Sequence, residues 1–166
     1  MTGPVGDLFV EYHASLVRML YRRTGDRDRA EEIAQETFAR AVVAPPRNPR
    51  PWLFAVALNL VREEGRTALR QQRKLVLYRA EQPDRTETPD DALDRGERIA
   101  GVRAALDELS DRDREALLLK AEGFSYDEIA ATLGLARGAV GTTLARARRR
   151  LLDAFRAGEE EAHVAS

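Results

Sequence analysis

No cysteine occurs among the 166 residues. A disulfide framework, a thiolate zinc site and an internal thiol redox switch are therefore excluded. Long apolar runs are missing too: nothing approaches the ~20 residues that span a bilayer as a helix. The N-terminus has no basic segment followed by an apolar stretch. Neither membrane insertion nor secretion is expected, and the chain reads as soluble and cytoplasmic. There is also no excess of one charge, with Lys+Arg 27 against Asp+Glu 28. The total says little about partners, so the distribution has to. Convincing β-alternation and internal repeats are absent. No glycine-rich phosphate loop occurs, and histidine is limited to His13, read as a packing or surface residue, and His163 in the tail. No cofactor, metal site or catalytic residue is expected.

Charge is segregated. Basic residues bunch at 62–74 and 146–150, whereas acids dominate 81–97 and 159–161. Clustered positive charge is the electrostatic footprint of nucleic-acid binding, whatever the net total.

The segment 123–151 carries the strongest local signal. Ser125 lies three residues before Glu128, the spacing of a capping box, which predicts a helix start. Ile129, Ala130 and Leu133 form one apolar face, and Gly134 stands where a left-handed residue ends a helix. Leu135 fills the turn. A second helix from about Gly138 buries Val140 and Leu144, and Arg146, Arg148, Arg149 and Arg150 follow. Small residues at the crossing, glycine at the break and arginines beyond it outline a helix-turn-helix, whose second helix enters the DNA major groove. A helical hairpin with a solvated basic end is the blander reading; the agreement of cap, break, spacing and charge favours DNA.

Elsewhere the pattern is helical. Leu8, Phe9, Tyr12, Leu16, Met19 and Leu20 share a stripe that Gly25 terminates. Asp26 or Asp28 caps a second helix reaching about Val43, with Ile33, Phe38 and Val42 inward. Pro45, Pro46, Pro49 and Pro51 stiffen a loop, and Pro51 suits the first turn of a third helix. That helix carries Trp52, Leu53, Phe54, Val56, Leu60 and Val61, then a basic stripe of Arg62, Arg66, Arg70 and Arg73 running to about Lys74. Residues 75–97 turn acidic and lose the apolar period, which predicts a flexible tether. Helix resumes near Arg98 with Ile99, Val102, Leu106 and Leu109 inward, and Ser110 with Asp113 offers another cap. The fold class is all-α: two small helical domains, 5–74 and 98–156, joined by a flexible acidic linker, the second containing the helix-turn-helix. A disordered tail is expected over 157–166.

Two blocks, YRRTGDRDRAEEIAQETFARA with PRPWLFAVALNLVRE, and LDELSDRDREALLLKAEGFSYDEIAATLGLARGAVGTTLARARRRL, together resemble the extracytoplasmic-function group of bacterial RNA polymerase sigma factors. The resemblance implies a non-enzymatic factor whose partners are the large subunits of bacterial RNA polymerase core, promoter DNA and an anti-sigma factor, with no membrane. It places polymerase binding on Glu31, Glu32, Gln35, Glu36 and Phe38, where a solvated acidic face or, less readily, acid–base chemistry are the alternatives. It places minus-ten DNA binding on Asn48, Arg50, Trp52, Asn59, Arg62 and Arg66. In that reading Asn59 holds an unstacked base, since an amide both donates and accepts, and the arginines follow phosphates. Trp52 is divided between stacking on a base and the core, while Phe54 is assigned to the core. Minus-thirty-five contacts fall on Arg137, Gly138, Thr142, Thr143, Arg146 and Arg149. The family also threads its linker through the polymerase active-site cleft, against which a plain spacer stands.

The chain departs from the family at Ala139, Gly141 and Thr143, where threonine, lysine and arginine are common, and at Ala55, where a basic residue is common. Ala136 is a weak N-cap. A free-standing helix-turn-helix regulator, against which the first block argues, and an interaction protein with a degenerate helix-turn-helix are the competing readings.

Overall fold

The computed structural model describes residues 3–74 and 91–165, with the side chains of 66–74, 91–95 and 97 outside the description. Among the described residues the order is α1 (Pro4–Thr24), α2 (Arg27–Val43), α3 (Pro49–Lys74), α4 (Asp91–Asp107), α5 (Asp111–Ala121), α6 (Tyr126–Leu133) and α7 (Arg137–Val164), with no strand.

Local chemistry sets the helix ends. Gly25 closes α1 at φ 74°, a left-handed conformation that glycine adopts without steric cost, and its N–H donates to the Tyr21 carbonyl. One residue later Asp26 opens α2 by accepting from the Arg29 N–H. Pro45 and Pro46 follow directly on the end of α2, and Pro49 then stands at the start of α3.

The first three helices pack around Leu16, Met19, Leu20, Ile33, Leu53 and Leu58, none more than 2% exposed. Alanines 30, 34, 41 and 57, all fully buried, let the helix backbones approach closely. The last four helices close around Ala105, Ala116, Leu119, Ile129, Val140 and Leu144.

Three residues expected inside point outward. Val42 is 63% exposed because α2 packs through the Ala34–Ala41 side, and Val42 lies about a quarter turn beyond Ala41. Ile99 and Val102 are 56% and 42% exposed. Helix α4 meets α7 along Gly101 and Ala105 instead; a Cβ at Gly101 would lie 3.2 Å from the Phe155 ring. Phe9, expected on the α1 stripe, is 42% exposed and stacks on His13.

Two boundaries also differ. Helix α4 already begins at Asp91, inside the expected tether, and α7 runs on to Val164 through the expected disordered tail. Residues 75–90, the rest of the tether, lie outside the described residues.

The two helical halves touch. Helix α3 packs on α6 and α1 on α5. Phe54 of α3 and Phe124, just before α6, meet edge to face with ring centroids 4.7 Å apart, and both are fully buried.

Candidate nucleic-acid interface

The helix-turn-helix is built as its sequence predicts. Ser125 Oγ accepts from the Glu128 N–H at 3.1 Å, and the Glu128 carboxylate accepts from the Ser125 N–H at 2.9 Å, completing the capping box. Gly134 stops α6 at φ 66°. Ala136 begins α7 without a side-chain cap. The Ser125 backbone N–H holds the Glu128 carboxyl below its ordinary range; burial opposes this, and Arg50 adds to the lowering.

Along α7 the expected base-reading positions divide. Arg137, Gly138, Thr142 and Arg149 are exposed. Thr143 is 5% exposed and faces the interior with Val140 and Leu144, so its expected place on the DNA surface is corrected. The reason is helical: Thr143 falls three residues after Val140, on the side that packs against the domain. Arg146 is exposed but engaged, with Nη2 2.8 Å from Asp113 Oδ1. Arg150 takes the other oxygen at 3.0 Å. Asp113 is fully buried. Burial pushes its carboxyl up, yet Arg146 and Arg150 together more than offset this and leave it below the ordinary range. Ser110 caps α5 through its own hydroxyl, accepting from the Asp113 N–H, while the Asp113 side chain clamps α7.

The expected minus-ten surface lies on and just before α3. Asn48 and Asn59 are exposed, and Trp52 is half-buried. Phe54 is fully buried, in the core as expected. Asn59 Oδ1 accepts from Arg62 Nη1 at 3.3 Å. Arg62 also pairs with the fully buried Glu115 carboxylate of α5. Arg50 donates from Nη1 to the Glu128 carboxylate at 3.2 Å and from Nη2 to the Glu122 carbonyl at 2.7 Å. The side chains of Arg66, Arg70 and Arg73 lie outside the described residues, so the basic stripe is seen only at its first member.

On α2, Glu32, Gln35 and Glu36 are exposed and Glu31 is half-buried, giving a polar face; Glu36 pairs with Arg40. Phe38, expected to dock a partner, is 5% exposed, its ring 5.1 Å from that of Phe9. It supports the face from beneath, as a large apolar side chain flanked by buried Ala34 and Ala41 must. Sequence reasoning missed the carboxylates Glu115 and Glu128 that pair with Arg62 and Arg50 of α3, and Glu122, which pairs with Arg18 and Arg22 of α1. No local pattern marks them, since the pairs join residues far apart in the chain.

Comparison with known proteins gives the family. The Sigma-70 region 2 model matches residues 8–74 and the Sigma-70, region 4 model residues 99–151. The chain is 37% identical to the ECF RNA polymerase sigma factor SigE of Mycolicibacterium smegmatis over 90% of its own length, spanning 61% of that protein. It is 34% identical to the ECF RNA polymerase sigma factor SigL of Mycobacterium tuberculosis, covering 82% of this chain and 80% of the relative. Among solved structures it resembles the sigma factor RpoE of Bartonella quintana in complex with the anti-sigma factor NepR, with TM-score 0.63, 26% identity and coverage of 90% and 97%. It also resembles CnrH in complex with the cytosolic domain of CnrY, with TM-score 0.64, 28% identity and coverage of 92% and 88%. The chain therefore belongs to the extracytoplasmic-function group of the sigma-70 family, the factors that direct RNA polymerase core to promoters.

Proposed function

We infer that this chain recruits core polymerase through α2, binds the minus-ten strand with the Asn48–Arg62 surface and reads the minus-thirty-five duplex with α7. The presence of both sigma regions in one chain, in this order, carries the reading. A free-standing regulator needs only the second. Chemistry on the phosphodiester belongs to polymerase; this chain supplies position and specificity.

The assignments follow exposure and donor chemistry. Glu32, Gln35 and Glu36 present the polymerase-facing polar surface, and Glu31 borders it. Asn59 offers an amide to an unstacked base, the half-buried Trp52 a ring for stacking, and Arg50 and Arg62 guanidiniums for phosphates. On the duplex, the expected contacts Arg137, Thr142, Arg146 and Arg149 are exposed, with Arg137 paired to Asp127 and Arg146 to Asp113, and Gly138 lets the helix start approach the backbone closely. Because Ala139, Gly141 and buried Thr143 supply no cation, base reading in the major groove rests on few contacts. Each bidentate pair is worth about 1–3 kcal/mol of discrimination. The anti-sigma complexes of the two structural relatives favour an anti-sigma factor as regulator here.

Run-off transcription with purified core polymerase tests the reading. Defined start sites that vanish with Asn59→Ala are expected. Sequence-specific DNA binding with no retention of core polymerase would instead establish the free-standing regulator.

A further inference from the structure

Beneath the duplex-facing side of α7 lies a carboxylate that none of the assigned contacts includes. Asp113 belongs to α5, outside the helix-turn-helix, and its side chain is fully buried. Its backbone is fixed by the Ser110 cap, whose hydroxyl accepts from the Asp113 N–H at 3.2 Å. Arg146 donates to both of its oxygens, from Nη2 to Oδ1 at 2.8 Å and from Nε to Oδ2 at 3.4 Å. Arg150 Nη1 donates to Oδ2 at 3.0 Å. Neither oxygen can turn away without leaving a buried charge unpaired, so the carboxylate is a rigid anchor.

We propose that Asp113 is a positioning residue for base reading: it holds one edge of the Arg146 guanidinium so that the remaining edge is presented to a guanine of the minus-thirty-five duplex. The proposal rests on the assignment of Arg146 to that duplex. A guanidinium carries five N–H donors in one plane. The fork to Asp113 takes the side edge, Nε with one hydrogen of Nη2, and takes no part of Nη1. What remains is the end edge, Nη1 with the second hydrogen of Nη2, which is again a pair of parallel donors. Guanine is the base that shows two acceptors, O6 and N7, side by side in the major groove. A donor pair held in one plane therefore selects it.

The place of Arg146 on α7 supports this use. It lies one turn past Thr142 on the same side of the helix and keeps 45% of its side chain exposed. The residues before it, Gly138, Ala139, Gly141 and Thr142, are small, so the helix can sit deep in the groove and Arg146 is the first long donor after Arg137. A phosphate is the poorer partner. Asp113 offsets part of the Arg146 charge and so weakens its attraction to an anion, whereas hydrogen bonds to a neutral base depend on direction. The buried carboxylate supplies that direction, and the rotamer freedom that a free arginine gives up on binding has already been given up.

Duplexes randomised over one helical turn, presented to the chain alone and to the chain bound to bacterial core polymerase, test the proposal once the retained sequences are read. The parent is expected to enrich one guanine whose replacement by adenine, or by 7-deazaguanine, which lacks N7, weakens binding about tenfold. Asp113→Asn should bring that ratio to about twofold or less, at helix content matched by circular dichroism. Asp113→Leu, which removes both acceptors but leaves an apolar side chain in the buried site, repeats the measurement in a second background. Arg146→Lys keeps the charge beside Asp113 but has no end edge; it should lose the same ratio, and adding Asp113→Asn to it should lose nothing more. A clamp that only holds α7 in place would weaken both duplexes equally. An unchanged ratio in a folded Asp113 variant, or a parent that enriches no guanine either alone or with polymerase, therefore overturns the proposal. Failure of the parent to retain core polymerase sinks the sigma reading instead, while the ratios measured on the chain alone still report what Asp113 does.

Discussion

The rings of Phe54 and Phe124 meet edge to face at 4.7 Å, one from each half of the chain, and neither is exposed. Aromatic pairs in this geometry contribute about 0.5–1.5 kcal/mol beyond the area they bury. Both rings belong to one continuous buried cluster that runs from Leu16 of α1 to Leu144 of α7.

Truncating either ring should therefore be severe. Phe54→Ala and Phe124→Ala are each expected to cost about 3–5 kcal/mol in urea denaturation, the usual range for a fully buried phenylalanine. Because the rings touch, the double variant should cost less than the sum by about 0.5 kcal/mol or more. Strict additivity would show that the halves do not press on one another in solution.

The contrast between this seam and the helix-turn-helix explains what could be read from sequence. Ser125 with Glu128, and Gly134 at the helix end, are local devices whose spacing is their geometry, and both are found in place. Phe54 was legible as core because a helical stripe reports which side is apolar. The stripe of Val140 and Leu144 also turns Thr143 inward and leaves Thr142 outside, as found; it is the family resemblance that puts Thr143 on the DNA surface. No stripe reveals a partner 104 positions away, as Glu122 is for Arg18. A run of arginines looks uniformly solvated until the fold brings Asp113 beneath two of them. The start of α4 at Asp91 was hidden for a related reason: its first residues are acidic and polar, so no apolar period announces the helix.

The capping box sets a prediction in both mutation and pH. Ser125→Ala removes the hydroxyl that accepts from Glu128 N–H and should cost about 1 kcal/mol, read as a lower denaturation midpoint. The Glu128 carboxyl titrates lower when folded than when unfolded, first through the Ser125 N–H and, after the opposing effect of burial, through Arg50. Such a group contributes its full stability above the unfolded value of about 4.3 and loses it as pH falls through the folded value. Stability should thus decline on acidification below about pH 5. Glu128→Gln should flatten part of that decline while lowering stability at neutral pH. A variant that is as acid-sensitive as the parent would remove Glu128 from the cause.

Asp113 offers a test of the clamp on α7. Its carboxylate is fully buried, whereas Arg146 and Arg150 retain 45% and 57% side-chain exposure. Removing the acid leaves two cations that water can still reach. Removing both arginines leaves a charge that water cannot reach. Arg146→Ala with Arg150→Ala should therefore cost more than Asp113→Asn, with the double arginine variant losing about 3 kcal/mol or more. Equal losses, measured by urea denaturation at pH 7, would mean that the buried carboxylate is not the strained partner.

The same clamp separates two arginines that look alike in sequence. Arg146 and Arg149 both follow the base-reading turn of α7 and both are exposed, yet only Arg146 is tied to Asp113. Arg149 has no ion pair among the described residues, so a phosphate would be its first charged partner. Arg149→Ala should weaken duplex binding, reduce the logarithmic salt slope by about 0.9 as one released counterion requires, and leave the thermal midpoint unchanged. Arg146→Ala should lower the midpoint as well, because it strips one of two cations from a buried acid. Its salt slope should fall by less, since a guanidinium already paired with a carboxylate condenses fewer phosphate charges. Anisotropy titrations of a labelled duplex across a salt series, with melting curves on the same samples, read both quantities. If Arg146→Ala proved neutral to stability and equal to Arg149→Ala in slope, the ion pair with Asp113 would not constrain it in solution.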